Sequence, residues 1–122
     1  MVRGGREVIL GSFKDPAFGT ILMFGLGGVF VEYFKDVSFG LHPLYRTEAE
    51  RMIRTLRAYP LLCGARGQDP VALEVMVEAL LRLSQLVGDF PQIDQVDVNP
   101  FMACPAPNQS VAVDVRVRAT FV

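Results

Sequence analysis

The chain has 122 residues, enough for one hydrophobic core, and 51% of them are apolar. Its 12 basic and 13 acidic residues nearly cancel, to a net charge of −1. That balance excludes a disordered segment and a polyanion binder working through net charge, so no nucleic-acid partner is expected.

The first part reads as β-structure. Glu7–Leu10, Thr20–Phe24, Val29–Phe34 and Val37–Leu41 are rich in β-branched and aromatic residues. Lys14-Asp15-Pro16, a glycine cluster and Lys35-Asp36 punctuate them. The apolar run from Ile21 to Val31 is too short for a bilayer and is interrupted by Gly25, Gly27 and Gly28, so no membrane span is expected. A helix is predicted from near Thr47, where Thr47 to Glu50 has capping-box spacing. Ala49, Met52, Ile53 and Leu56 give it a buried stripe, and Pro60 ends it. A second helix is predicted from about Pro70 to about Val87, with Leu73, Met76, Val77, Leu80, Leu83 and Val87 facing the core and Gly88 as terminator. Strands return at Gln92–Asn99, with a short Phe101–Ala103 extension, a Pro105–Asn108 loop and a last strand from Ser110 to Val122. In that last strand Val111, Val113, Val115 and Val117 share a face expected to be buried, and Asp114, Arg116 and Arg118 share the other. The pattern is that of an α+β domain, a mostly antiparallel sheet with two main helices packed on it, with no internal repeat over residues 1–122.

Cys63 and Cys104, with one histidine and no CxxC spacing, are too few for a structural zinc site and read as reduced thiols. The first residues run into a strand without a signal-peptide hydrophobic region, so a cytoplasmic location is expected.

Period-2 geometry along the Gln92–Asn99 strand puts Gln95, Asp97 and Asn99 on one side and Val96 and Val98 on the other. A hairpin centred in the Pro105–Asn108 loop would set Asn99 across from Asp114 and Asp97 across from Arg116. Opposed residues have Cβ atoms about 5 Å apart. Asn99 and Asp114 would then offer oxygens to one hard cation that keeps waters and bridges phosphates, as magnesium is usually held. The competing reading is a cross-strand Asp97–Arg116 ion pair on a solvated face, with Asn99-Pro100 ending the strand.

Several segments, taken in order, resemble the ATP-grasp part of ADP-forming acyl-CoA synthetases, which are similar to succinyl-CoA synthetases. They are Gly11–Asp15 with Phe18-Gly19, Phe24–Glu32, Lys35–Val37, Pro43-Leu44, Glu48–Ile53, Leu61–Gly67, Ile93–Pro100 and Ala112–Arg116. The resemblance implies the C-terminal half of an ATP-grasp domain in an enzyme that interconverts acyl-CoA, ADP and phosphate with the acid, CoA and ATP. The route passes through an acyl phosphate and a phosphohistidine carried elsewhere. It further implies that Asn99 and Asp114 hold Mg2+ on the phosphates of ATP or ADP, and that Asp97 contacts the incoming phosphohistidine.

Gly27, Gly28 and Glu32 are candidate nucleotide-binding positions, although the Gly25–Gly28 run reads equally as a tight hairpin turn without the Lys-Ser/Thr ending of a P-loop. His42 reads as a strand-end histidine rather than a phosphorylated one. Cys63 stands where the family commonly has an acid, and no role is assigned to Arg66 beyond a second-tier candidate. The expected partners are the remaining ATP-grasp subdomain and the CoA-binding and phosphohistidine domains. Their absence from residues 1–122 reads as an excised domain, a split subunit or a truncated product. The alternative is a non-catalytic ATP-grasp remnant that self-associates, or a regulatory module of the kind fused to protein acetyltransferases.

Overall fold

In the computed structural model, residues 6–27, 36–63, 72–104 and 110–121 are described. The elements run β1 (Arg6–Asp15), β2 (Gly19–Leu26), β3 (Val37–Leu41), α1 (Arg46–Arg54), α2 (Tyr59–Leu62), α3 (Leu73–Asp89), β4 (Ile93–Ala103), β5 (Val111–Ala112) and β6 (Val115–Ala119). The strands form one sheet in the order β3-β2-β1-β4-β5, with β6 also on β4, and every pairing is antiparallel. This is the α+β arrangement the sequence predicts. The expected strand at Val29–Phe34 and the Pro70 helix start lie outside the described residues.

One face of the sheet is covered by helices. Val8, Leu10, Leu22, Phe24, Val96 and Val98 point from the strands into a core completed by Ala49, Met52 and Ile53 of α1 and by Met76, Val77, Leu80, Leu83 and Val87 of α3. Each large side chain so buried contributes about 1.5–3 kcal/mol. The tight β1–β2 turn is built by the Asp15 carboxylate, which accepts the Ala17 and Phe18 N–H groups at 2.8 and 3.0 Å. Gly19 then takes a φ of +80°, in the region that favours glycine.

The helix ends differ from their sequence signals because tertiary contacts set them. Helix α1 starts at Arg46, before the Thr47 capping box, and its N-cap Tyr45 makes no side-chain cap. The preceding Leu44 N–H is anchored instead on the buried Ser84 hydroxyl of α3 at 3.0 Å, and Arg46 pairs with Glu74 at 2.6 Å. Helix α1 stops at Arg54, well before Pro60, and Leu56 is buried from the turn beyond it. Pro60 sits inside the first turn of α2, where its missing N–H costs nothing. Helix α3 passes through Gly88 to Asp89. There the His42 ring occupies the place of a side chain, with its Cε1 2.8 Å from where a Cβ would stand.

At the C-terminal end, Asn99-Pro100 does not end a strand, because β4 continues through it to Ala103. The final strand is divided into β5 and β6. Its valine face is not buried: Val113, Val115 and Val117 are 61%, 50% and 53% exposed. Val115 and Val117 oppose Val98 and Val96, so they lie on the helix side of the sheet, but at an edge that α1 and α3 leave uncovered. Cys63 is exposed, and Cys104 is buried with its thiol 3.8 Å from the Met102 carbonyl. Among the described residues no helix is long and apolar enough to cross a membrane.

Candidate functional site

The face of the sheet away from the helices reads as rows across the strands. The first row runs Leu41, Ile21, Phe13, Gln95, Arg118, and the second Phe39, Met23, Gly11, Asp97, Arg116. In the third, Val37, Gly25 and Ile9 lead toward Asn99 and Asp114. Strands β3, β2 and β1 thus bring apolar groups, and β4 and β6 bring amides, carboxylates and guanidiniums. Phe13 and Phe39 meet edge to face, with centroids 6.4 Å apart, at the apolar end.

The polar end follows from two features of β4. Toward β6 the register shifts once, between Ile93 and Gln95, and then holds: Gln95 opposes Arg118, Asp97 opposes Arg116 and Val98 opposes Val115. The Asn99 N–H then donates to the Asp114 carbonyl at 3.0 Å, and the Val113 N–H donates to the Pro100 carbonyl at 3.0 Å. This is the cross-strand placement of Asn99 with Asp114, and of Asp97 with Arg116, expected from the sequence. Toward β1 the register slips by one, from Val8↔Phe101 to Leu10↔Val98, which leaves an extra β4 residue at Asn99-Pro100. Such a bulge re-aims a side chain locally, and Asn99 and Asp114 are both exposed beside it.

Asp97 is half-buried, and at Gly11 beside it the backbones approach closely, since a Cβ there would stand 3.1 Å from the Val96 carbonyl. Opposite Asp97, Arg116 is exposed. Among the described residues the two make no ion pair or hydrogen bond, so the competing reading of a cross-strand Asp97–Arg116 ion pair is not met. Asp94, at the same strand's start, is by contrast engaged. The Thr120 hydroxyl donates to it at 2.5 Å and Lys14 lies 3.4 Å away. The Thr120 hydrogen bond is the first cause of a carboxyl held below the ordinary carboxylate value, with Lys14 and Arg118 acting in the same direction against the opposing effect of desolvation.

Gly27 closes the pairing of β2. Its N–H donates to the Glu7 carbonyl at 2.8 Å, and a Cβ would stand 3.0 Å from that carbonyl, so its amide is committed to β1 and the position requires close approach. Gly28, Glu32 and Arg66 lie outside the described residues. His42 is a strand-end residue: its N–H donates to the Thr20 carbonyl at 3.0 Å, and its Nδ1 is 2.9 Å from the Ser84 hydroxyl.

Asp36 is legible in the sequence only as part of Lys35-Asp36-Val37, yet it is buried, and its carboxylate accepts the Arg57 and Ala58 N–H groups at 2.7 and 2.8 Å. Its carbonyl also accepts the Leu26 N–H at 3.1 Å. A buried acid aimed at a turn two elements away carries no sequence signal of its own.

Among the described residues no cluster of three or more His, Cys, Asp or Glu could hold a metal ion. A cation at Asn99 and Asp114 would therefore have one carboxylate, one amide oxygen, waters and ligand phosphates. That donor set suits Mg2+, which keeps several waters, and not zinc.

Residues 1–119 match the ATP-grasp domain family. The chain is 45% identical over 113 residues to the beta subunit of acetate–CoA ligase [ADP-forming] I of Pyrococcus furiosus, covering 93% of this chain and 48% of that subunit. It is 42% identical over 117 residues to the 4-hydroxybutyrate–CoA ligase [ADP-forming] of Nitrosopumilus maritimus, covering 96% of this chain and 17% of the relative. A solved structure with TM-score 0.89 and 44% identity covers 95% of this chain and 54% of its own. It is the dinucleotide-forming acetyl-coenzyme A synthetase 1 of Candidatus Korarchaeum cryptofilum, in complex with coenzyme A and Mg-AMPPCP, with its phosphohistidine segment pointing towards the nucleotide-binding site. The chain thus spans about half the length of the beta subunit and the solved chain, and a smaller share of the hydroxybutyrate ligase.

Proposed function

This chain belongs to the ATP-grasp domain family, and we propose that it supplies the metal and phosphate side of the nucleotide site in an ADP-forming acid–CoA ligase. The observation that carries the reading is the Asn99–Asp114 juxtaposition at the β4 bulge, on a sheet face that the helices leave open. Asn99 offers an amide oxygen and Asp114 a carboxylate to Mg2+. When bound, that ion neutralises phosphate oxygens and aligns them for in-line transfer. The backbone bond from Asn99 to Asp114, next to the β4–β6 ladder, holds the two residues across from each other before any ligand arrives, so little reorganisation is required of them.

Asp97 lies two residues before Asn99 on the same strand. Its carboxylate accepts a ring N–H of an incoming imidazole and so directs the opposite ring nitrogen to the phosphoryl group. Gly28 and Glu32 are the further nucleotide contacts in this reading. The adenine side of the site, the acyl-CoA site and the histidine come from other segments or chains, in keeping with relatives about twice or more the length of this chain.

The test is Asp114→Ala in the ligase assembly containing this chain. ATP formation from acyl-CoA, ADP and phosphate should be abolished while circular dichroism is unchanged. Near-normal turnover would sink the reading, as would a wild-type assembly that binds Mg-nucleotide without any turnover.

A further inference from the structure

Four of the nine lysines and arginines among the described residues make ion pairs: Lys14 with Asp94, Arg46 with Glu74, Arg51 with Glu48 and Arg82 with Glu78. Arg118, on the same face of β6, lies close enough to Asp94 to influence its carboxyl. Arg116 differs. It is exposed, opposes Asp97 in register, and makes no ion pair or hydrogen bond among the described residues, although a carboxylate stands directly across the strand from it.

We propose that Arg116 is a phosphoryl-binding residue, its guanidinium taking the phosphate oxygens on the side away from the cation held by Asn99 and Asp114. Three placements support this. Asp114 stands just before β6, hydrogen-bonded through its carbonyl to Asn99, and Arg116 stands within β6 opposite Asp97, two positions on and so about 7 Å away at Cα. The intervening Val115 points to the other face, where its partner Val98 is buried. Asp97 stands opposite Arg116, so a phosphoryl group that leaves a histidine nitrogen near Asp97 for the terminal phosphate oxygen of a nucleoside diphosphate near Asn99, or makes the reverse passage, has Arg116 alongside it. A planar guanidinium binds two phosphate oxygens at once, which a lysine ammonium cannot do.

This inference rests on Asn99 and Asp114 as the cation ligands, and the two readings are separable by experiment. The 122-residue chain, labelled with 15N, is titrated with inorganic phosphate while the Arg116 Nε–H and the amides of Asp97 and Arg116 are followed. Separately, Mn2+ is added as a paramagnetic probe of the cation site. Phosphate should shift the Arg116 Nε–H. Arg116→Gln should weaken phosphate binding about tenfold, as loss of a charged, bidentate partner does, with Arg116→Lys intermediate. Mn2+ should still broaden Asn99 and Asp114 in both variants.

Equal phosphate affinity in wild type and Arg116→Gln, or no response at Arg116, overturns the proposal while leaving the cation reading intact if Mn2+ still broadens Asn99 and Asp114. Broadening elsewhere in the chain overturns the cation reading, and with it the place of Arg116 beside a metal-bound phosphate.

Discussion

The Asn99 N–H is hydrogen-bonded to the Asp114 carbonyl at 3.0 Å, which sets the two exposed residues across from each other at the β4 bulge. Because the bond is made by backbone, removing either side chain leaves the ladder standing. Asp114→Asn and Asn99→Ala are therefore expected to change the melting temperature little, within the roughly ±0.5 kcal/mol of ordinary surface changes. Mn2+ or Mg2+ affinity should fall by at least about tenfold when the carboxylate is lost, a loss of about 1.4 kcal/mol. Calorimetry with Mg-AMPPCP on the assembled ligase, beside thermal melts of the chain, separates the two effects. A large drop in stability would show that the pair is structural.

Asp36 joins the end of β2 to the turn after α1 through three hydrogen bonds, two of them to its carboxylate. Asp36→Ala leaves the Arg57 and Ala58 N–H groups without that acceptor, at about 1–3 kcal/mol for each donor that stays buried. Urea unfolding should show a loss in that range. Asp36→Asn should recover part of it, since one amide oxygen still accepts while the NH2 group faces a second donor. Equal stability of wild type and Asp36→Ala would mean that water replaces the carboxylate.

The Thr120 hydroxyl donates to Asp94, and this bond is the first cause of the lowered carboxyl pKa. A carboxylate whose pKa is depressed on folding stabilises the fold above its unfolded pKa. That contribution is lost as pH falls through the folded, lower value. Thr120→Val should raise the Asp94 pKa toward the ordinary carboxylate value, leaving Lys14 and Arg118 as the smaller lowering influences. It should also flatten the acid limb of the stability curve just below that value. A 13C titration of the Asp94 carboxyl reads the shift directly, and an unchanged midpoint would overturn the assignment. The site is solvent-screened, so the effect on overall stability is expected to be small.

The parts of this fold legible in the sequence are those set by alternation and turn position. Val96 and Val98 against Asp97 and Asn99, with the proline-rich loop after them, are enough to place Asn99 opposite Asp114 and Asp97 opposite Arg116. The stripes of α1 and α3 are legible for the same reason. What covers a face is not. Val113, Val115 and Val117 alternate as buried residues do, but among the described residues no helix covers that edge, and a strand carries no mark of its own position in a sheet. The starts and stops of helices also escape sequence reasoning wherever a distant side chain decides them. Ser84 fixes the chain before Tyr45, and Asp36 holds the turn after Arg54.

Gly88 shows the same effect in a form that can be tested cleanly. Alanine in place of glycine inside a helix ordinarily stabilises by about 0.5–1 kcal/mol. At this position the added methyl would meet His42 Cε1 at 2.8 Å and Nε2 at 3.0 Å, and the ring is held by its 2.9 Å contact with the Ser84 hydroxyl. Gly88→Ala is therefore expected to destabilise by about 1–3 kcal/mol, the usual cost of overpacking. In a His42→Ala background the obstacle is gone, and the same change should stabilise, so the two substitutions should couple by at least about 1 kcal/mol in a double-mutant cycle. Chemical denaturation of the four variants supplies the cycle. Additive effects would mean that the His42 ring swings away freely, and that α3 does not need a glycine at this position to make room for it.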